Sequence, residues 1–323
     1  MKAITFHKYG SPKVLKMNEL EKPSPAEDEV LIKMHAAAVN PIDWHTMRAD
    51  PFLSRLGNGL FKPKFHILGA DISGVVEAVG SKSTEFKVGD HVFGEITHGG
   101  FTEYICVKEE KIAFKPKNLS FQEAASVGVV GYTAIQGLRD KGGIKPGQKV
   151  LINGASGGVG TFAVQYAKSV GAEVTGVCST RNLELVKSIG ADYVVDYTKE
   201  DFTKASKKYD LVYDAVGNLS LSAAKRALTP DGKCIVAGIT TLSRLFSILL
   251  FSGWATRHTN KSIEFMGMAN PNKKDLLYIK ELLESEKVKP VIDQCFPFEE
   301  TAKAIGYLET GRARGKVIVQ IAS

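Results

Sequence analysis

Apolar positions in the first third of the chain fall in short runs, "MKAITF", "EVLIKMHAAAV", "ISGVVEAVG", "GDHVFGE" and "FTEYICV", separated by Gly, Pro and charged turn residues. No long helical period passes through them, so they predict a twisted antiparallel or barrel-like β domain. At Ser120 the pattern changes. Ser120 and Glu123 form a capping box, and "SFQEAASVGVVGYTAIQGL" then runs at helical spacing. Beyond it, strand and helix runs alternate: "KVLING", "GTFAVQYAKSVG", "EVTGVCS", "NLELVKSIG", "YVVDY", "DLVYDAVG", "LSAAKRALTPDG", "KCIVAGI". Alternation of this kind predicts an α/β domain with a parallel sheet covered on both faces. Near residue 288 it stops, and "VKPVIDQCFPF", "EETAKAIGYLETG" and "KVIVQI" read as a tail returning to the first domain. The expected division is 1–122 with 288–323 around an inserted domain of 123–287.

Composition narrows the function classes. A length of 323 residues suits two domains, and 44% hydrophobic with 24% charged residues excludes a disordered chain. The net charge of +7 is spread in ones and twos, as at Lys207-Lys208 and Lys273-Lys274. A phosphate-tracking surface concentrates its charge, so we expect no nucleic-acid partner and instead an anionic small ligand. Cys106, Cys178, Cys234 and Cys295 lie far apart without a CxxC pair, which reads as reduced core residues of a cytoplasmic protein. "MKAITFHKYG" lacks a charged lead followed by a long apolar run, so we expect no secretory signal. The most apolar window, "LSRLFSILLFSGW" at 242–254, is too short to span a bilayer, so we expect no integral membrane segment. It reads as a buried or lid helix in preference to a membrane-surface contact.

The chemistry is clearest in "VLINGASGGVGTFAVQYAKSVGAEV", a βαβ unit with an AxGxxG turn at Ala155, Gly157 and Gly160. A missing side chain at Gly157 lets backbone N–H groups approach a pyrophosphate, and Gly160 lets the helix pack on the strand. The second strand ends in "CSTRN", with no carboxylate for a ribose 2′-hydroxyl. Arg181 and the hydroxyls of Ser179 and Thr180 suit a 2′-phosphate, which favours NADPH over NADH; the same residues also serve to cap the next helix.

In order along the whole chain stand "NPIDW", "GADISGVVEAVG", "KVGDHVFG", "GYTA", "GASGGVG", "SIGADYVVDY" and "GRARGKVIV". With these motifs the chain resembles the medium-chain dehydrogenase/reductase superfamily, in its zinc-free quinone oxidoreductase and enone reductase branch, including chloroplast-envelope quinone oxidoreductase homologues. The resemblance implies an α/β fold with a GroES-like β-rich catalytic domain and a Rossmann cofactor domain. It also implies a homodimer. The zinc alcohol dehydrogenases of this superfamily place metal ligands at the positions matching Asn40, Ala70 and Val129. Alanine and valine carry no donor atom, so no metal is expected.

The resemblance further implies amides of Gly157, Gly158 and Val159 on the pyrophosphate, Ser179, Thr180, Arg181, Asn182 and Tyr197 around the 2′-phosphate, and Thr133, Gly238, Ile239 and Arg312 as further cofactor contacts. Asn40, Asp43 and His45 of "VNPIDWH" are the catalytic candidates, set against plain turn chemistry at Asn40-Pro41, helix capping by Asp43 and solvent as the proton source. An enone or quinone spreads the charge left by hydride addition through conjugation, so a metal is dispensable. The expected activity is NADPH-dependent reduction of a small apolar conjugated carbonyl or quinone. The rival readings are one-electron quinone reduction and a non-catalytic NADPH-binding protein.

Overall fold

A computed structural model of the chain describes residues 1–322. Its contacts gather into two compact units, one of Met1–Val129, Pro271–Ser285 and Pro290–Ser323, the other of Val130–Asn270 and Glu286–Lys289. The hydropathy pattern runs the α/β domain to residue 287, yet helix Lys273–Glu284 groups with the first unit. Its first residue explains this: Lys273 Nζ donates to the carbonyls of Glu109 (3.2 Å) and Ile112 and pairs with Glu85 at 2.6 Å. At the other end Asn118 Nδ2 donates to the Leu283 carbonyl at 3.0 Å.

The first unit is built on a seven-stranded sheet ordered Ile292–Pro297, Lys316–Gln320, Glu29–Val39, Asp71–Val79, His91–Glu95, Ile112–Phe114, with Tyr104–Lys108 paired to Glu29–Val39. All its pairs are antiparallel except the first. Glu29–Val39 is the hub. Val30, Ile32, Met34, Ala37 and Val39 join the main core, while Ala36 and Ala38 pack with Ala125 and Ile318 on a second cluster. A strand buried on both faces needs a nearly continuous apolar run, which "EVLIKMHAAAV" supplies. Register then decides what meets at its end: Val39 lies opposite Val317, Ala38 opposite Asp71, and Asp71 opposite Glu95.

After Val39 the chain turns directly into helix Pro41–Arg48. Asn40 is its N-cap and Pro41 its first residue, where a missing N–H costs nothing. The helix expected over 120–138 is interrupted: Phe121–Ala125 has the capping box, and a second helix starts at Gly128. The cause is Asp71, whose Oδ1 accepts the Val129 N–H at 2.7 Å. A Cβ on Gly128 would lie 2.4 Å from that oxygen.

The second unit carries a six-stranded, all-parallel sheet ordered Tyr193–Asp196, Glu173–Cys178, Lys149–Asn153, Tyr209–Asp214, Leu228–Val236, Ser262–Phe265. In chain order this is 3-2-1-4-5-6, the doubly wound Rossmann arrangement, with its switch point between Lys149–Asn153 and Tyr209–Asp214. The sixth strand, "SIEF", lies inside a segment that the sequence pattern leaves unassigned. The apolar window at 242–254 falls in helix Leu242–Thr256, in which Ile248 and Thr256 are buried. Phe246, Leu249, Leu250, Phe251 and Trp254 remain exposed, which departs from the buried alternative of the expected buried or lid helix. Among the described residues no helix is long and apolar enough to cross a membrane.

Candidate functional site

In the first unit, the ends of three strands deliver a buried polar cluster. Asn40, at 1% exposure, donates from Nδ2 to Asp71 Oδ2 at 3.0 Å and to the Ala38 carbonyl at 3.3 Å. Lys316, at 4% exposure, donates from Nζ to Asn40 Oδ1 at 2.5 Å and to Asp71 Oδ2 at 3.0 Å. Asn40 is therefore held by both ends of its amide, with one lone pair of Oδ1 left over. A buried lysine and aspartate are tolerated only when paired and hydrogen-bonded, as here.

Asp43 completes the helix cap. Its Oδ2 accepts the Asn40 N–H at 2.7 Å and its Oδ1 the Gly69 N–H at 2.8 Å. Burial raises its pKa to about 7 against the opposing pull of those two amides. His45, in the same helix, stacks on Trp44 with ring centroids 3.6 Å apart. Its Nδ1 lies 2.5 Å from the Asp50 carbonyl, which can only accept, so Nδ1 carries a proton. The structure thus brings Asn40 and Asp43 together and sends His45 to a different partner.

The sequence reading missed Lys316, Asp71 and Glu95. Glu95 stands opposite Asp71 across the sheet, and its buried Oε2 has no hydrogen-bond partner. Burial, reinforced by the Asp71 charge, raises its pKa to about 8. The signal available was the single lysine beginning the apolar strand "KVIVQ" and the single acid beginning "DISGVV". Neither names its partner.

In the second unit, Gly157 is the N-cap of helix Gly158–Ser169 and supplies no side-chain cap, so the first-turn amides of Gly158 and Val159 are uncapped by any side chain. A Cβ on Gly157 would meet nothing closer than 3.6 Å, whereas one on Gly160 would lie 2.0 Å from the Gly154 carbonyl oxygen. The turn therefore leaves an open approach to an anion while the helix sits tightly on the strand, which fits a dinucleotide pyrophosphate. Asn182 links this turn to the end of the second strand: its Nδ2 donates to Ser156 Oγ at 2.9 Å and to Ser179 Oγ at 3.3 Å. Its Oδ1 is buried without a partner, an acceptor suited to a ribose hydroxyl.

Thr180 departs from expectation. Its hydroxyl is committed to the Asp196 carboxylate and lies 3.2 Å from Thr198 Oγ1. Although "CSTRN" holds no acid, the adjacent strand sets Asp196 opposite Cys178. Hydrogen bonds from Thr180 and Thr198 hold that carboxyl below its usual pKa. Arg181 and Tyr197 are exposed in this region, with Tyr197 N–H bonded to the Cys178 carbonyl at 3.1 Å.

At the switch point Asp214, fully buried, accepts from Asn153 Nδ2 at 2.8 Å and from the Gly217 N–H at 2.9 Å. A Cβ on Gly238 would lie 2.4 Å from the Ala215 carbonyl oxygen, so a glycine is needed where these strand ends meet; Ile239 follows, 38% exposed. The Thr133 carbonyl accepts from Tyr213 Oη at 2.9 Å. Arg312 belongs to the first unit and is exposed.

Two outcomes follow from the first-unit cluster. Lys316→Met strands the buried Asp71 charge and lowers unfolding free energy by about 3–5 kcal/mol. The double variant Asp71→Asn/Lys316→Met recovers much of that loss in urea titrations. For Glu95 the folded-state pKa lies above the unfolded one, so the native protein binds the extra proton and its stability falls as pH rises from about 4.5 to about 8. Glu95→Gln removes that contribution, and its gain over the parent grows from pH 5 to pH 8 in the same titrations.

Comparison with known proteins agrees with both units. The profile described as alcohol dehydrogenase GroES-like domain matches residues 26–117, and that described as zinc-binding dehydrogenase matches residues 189–319. The chain is 39% identical to a 2-methylene-furan-3-one reductase of Solanum lycopersicum, over 99% of this chain and 79% of that protein. It is 35% identical to a chloroplastic NADPH-dependent alkenal/one oxidoreductase of Arabidopsis thaliana, with the same coverage. The quinone oxidoreductase structure from Coxiella burnetii superposes with a TM-score of 0.87 at 32% identity, covering 100% of this chain and 99% of that one. The chain belongs to the medium-chain dehydrogenase/reductase family, in its quinone oxidoreductase and enone reductase branch.

Proposed function

We propose that this protein is an NADPH-dependent reductase that adds hydride to the conjugated C=C of an enone or enal, or to a quinone, without a metal. The observation that carries the metal-independent part is the donor set. Ala70 and Val129 offer no side-chain ligand atom, and the Asn40 amide is held by Ala38, Asp71 and Lys316. The relatives support the reaction class by their names, and the open glycine turn supports the cofactor.

When bound, NADPH supplies the hydride. The protein's share is placement and charge. Gly157, Gly158 and Val159 face the pyrophosphate; Arg181, Ser179, Asn182 and Tyr197 take the ribose phosphate end, with Thr180 held there by Asp196. Thr133, Gly238, Ile239 and Arg312 are the further contacts of this reading. Asn40 and Asp43 serve as positioning residues for the strand end. His45 keeps Nδ1 protonated against Asp50, so its Nε2 is left to exchange a proton if a side chain takes part.

The substrate is apolar and conjugated. Four free thiols support a reducing compartment such as the cytoplasm. A homodimer is our reading of the assembly, and the outer edge of strand Ser262–Phe265, last in its sheet, offers backbone groups to extend it.

Following NADPH oxidation over a panel of enones, quinones and saturated ketones, with and without chelator, we expect turnover of the conjugated substrates, unaffected by chelator. Chelator-sensitive turnover of saturated ketones sinks the metal-independent reading, and semiquinone signals during turnover indicate one-electron chemistry. Arg181→Glu replaces a cation with an anion at the 2′-phosphate and should weaken NADPH by about tenfold or more while barely changing NADH. An unchanged preference removes Arg181 from the site.

A further inference from the structure

Helix Leu242–Thr256 is apolar on the side that faces away from its unit. Phe246, Leu249, Leu250 and Trp254 follow the spacing i, i+3, i+4, i+8, which places them on one stripe. They are 48%, 59%, 67% and 63% exposed, and Phe251 beside them 55%. Single exposed apolar residues are ordinary, but a continuous stripe of this size marks an interaction surface.

Charge indicates what covers it. From Gly232 to Ile263 the chain contains Lys233, Arg244, Arg257 and Lys261 and not one Asp or Glu. Arg257 stacks its guanidinium 4.9 Å from the Trp254 ring, at the end of the stripe. The neighbouring helix Leu221–Ala227 adds Lys225 and Arg226 and no acid. The acids that bound the segment are Asp231, which accepts from Asn260 Nδ2 at 2.8 Å, and Glu264 on the adjoining strand. A two-fold contact of the stripe with itself would bring like charges together with no acid on the helix to neutralise them. An anionic lipid surface takes both features, with apolar side chains entering the acyl boundary and Arg and Lys at the head groups. Trp at the end of such a stripe is an interfacial anchor.

A segment of the first unit has the same chemistry. Phe52, Leu56, Leu60 and Phe61 are 64%, 79%, 48% and 86% exposed. Residues 51–70 around them contain Arg55, Lys62 and Lys64 and no acid.

We propose that the outer stripe of helix Leu242–Thr256 is a docking surface for an anionic phospholipid bilayer, to which the protein binds peripherally. The test is flotation of the full chain with vesicles of phosphatidylcholine alone or mixed with phosphatidylserine, at low and high salt and without NADPH. We expect flotation with the mixed vesicles, weakened by salt. Leu250→Glu/Trp254→Glu, at exposed positions, should reduce it by about tenfold or more. Independently of any folding effect of the variant, brominated acyl chains in mixed vesicles should quench the parent's tryptophan emission and leave that of Trp254→Phe unchanged. No flotation of the parent, equal flotation of the variant, or a parent dimer that the variant dissociates would each overturn the proposal, the last assigning the stripe to a second copy. Binding is read without turnover, so its failure leaves the reductase reading standing.

Discussion

The first unit depends on one buried ion pair, Lys316 with Asp71, 245 residues apart in the chain. Taking both charges out of water costs several kcal/mol per ion, and the cost is met only because each polar atom has a defined partner. Asp71 receives Lys316 and Asn40 on one oxygen and the Val129 amide on the other. Those bonds fix the end of strand Glu29–Val39, the start of strands Asp71–Val79 and Lys316–Gln320, and the start of helix Gly128–Ile135 at one point. The position of Asn40 follows from that junction. So does the close approach at Gly128, where any larger residue would collide with the carboxylate.

What could be read in advance divides by range. The βαβ turn, the strands flanking it and the capping box at Ser120 are local, set by residues within one or two turns of each other, and they stand where the pattern put them. Asp43 was legible in the same way, as the third residue after an N-cap asparagine, and capping is what its bonds show. The partner of Asn40 was not. Lys316 lies in a strand whose hydropathy reads as ordinary, and only the pairing of Val39 with Val317 brings it beneath Asn40. The same limit explains the broken helix at 126–127: its interruption comes from Asp71, more than fifty residues earlier, while local spacing favours continuation.

In the cofactor unit, a comparable long-range effect alters the meaning of "CSTRN". The absence of an acid from those five residues suggests an unopposed phosphate site, yet the parallel neighbour sets Asp196 beside Thr180. An ionised carboxylate there engages the Thr180 hydroxyl and puts a negative charge beside the residues proposed for the 2′-phosphate. Lys199, 3.9 Å from Asp196, offsets part of it. In the proposed function, preference for a 2′-phosphate therefore rests on Arg181 more heavily than the motif alone implies, while Asn182 is held by Ser156.

The ion pair also constrains the chemistry. A metal ion accepts a substrate oxygen as an added ligand and takes up full negative charge at that atom. An ammonium group held by Asn40 and Asp71 is different, because two of its three donors are already directed and its charge is already balanced by a carboxylate 3.0 Å away. It organises the junction without being able to act as a strong electrophile on a localised alkoxide. A substrate whose own conjugation disperses the charge asks less of such a junction, and this physical match links the residues at 40, 70 and 129 to enones and quinones in preference to simple ketones.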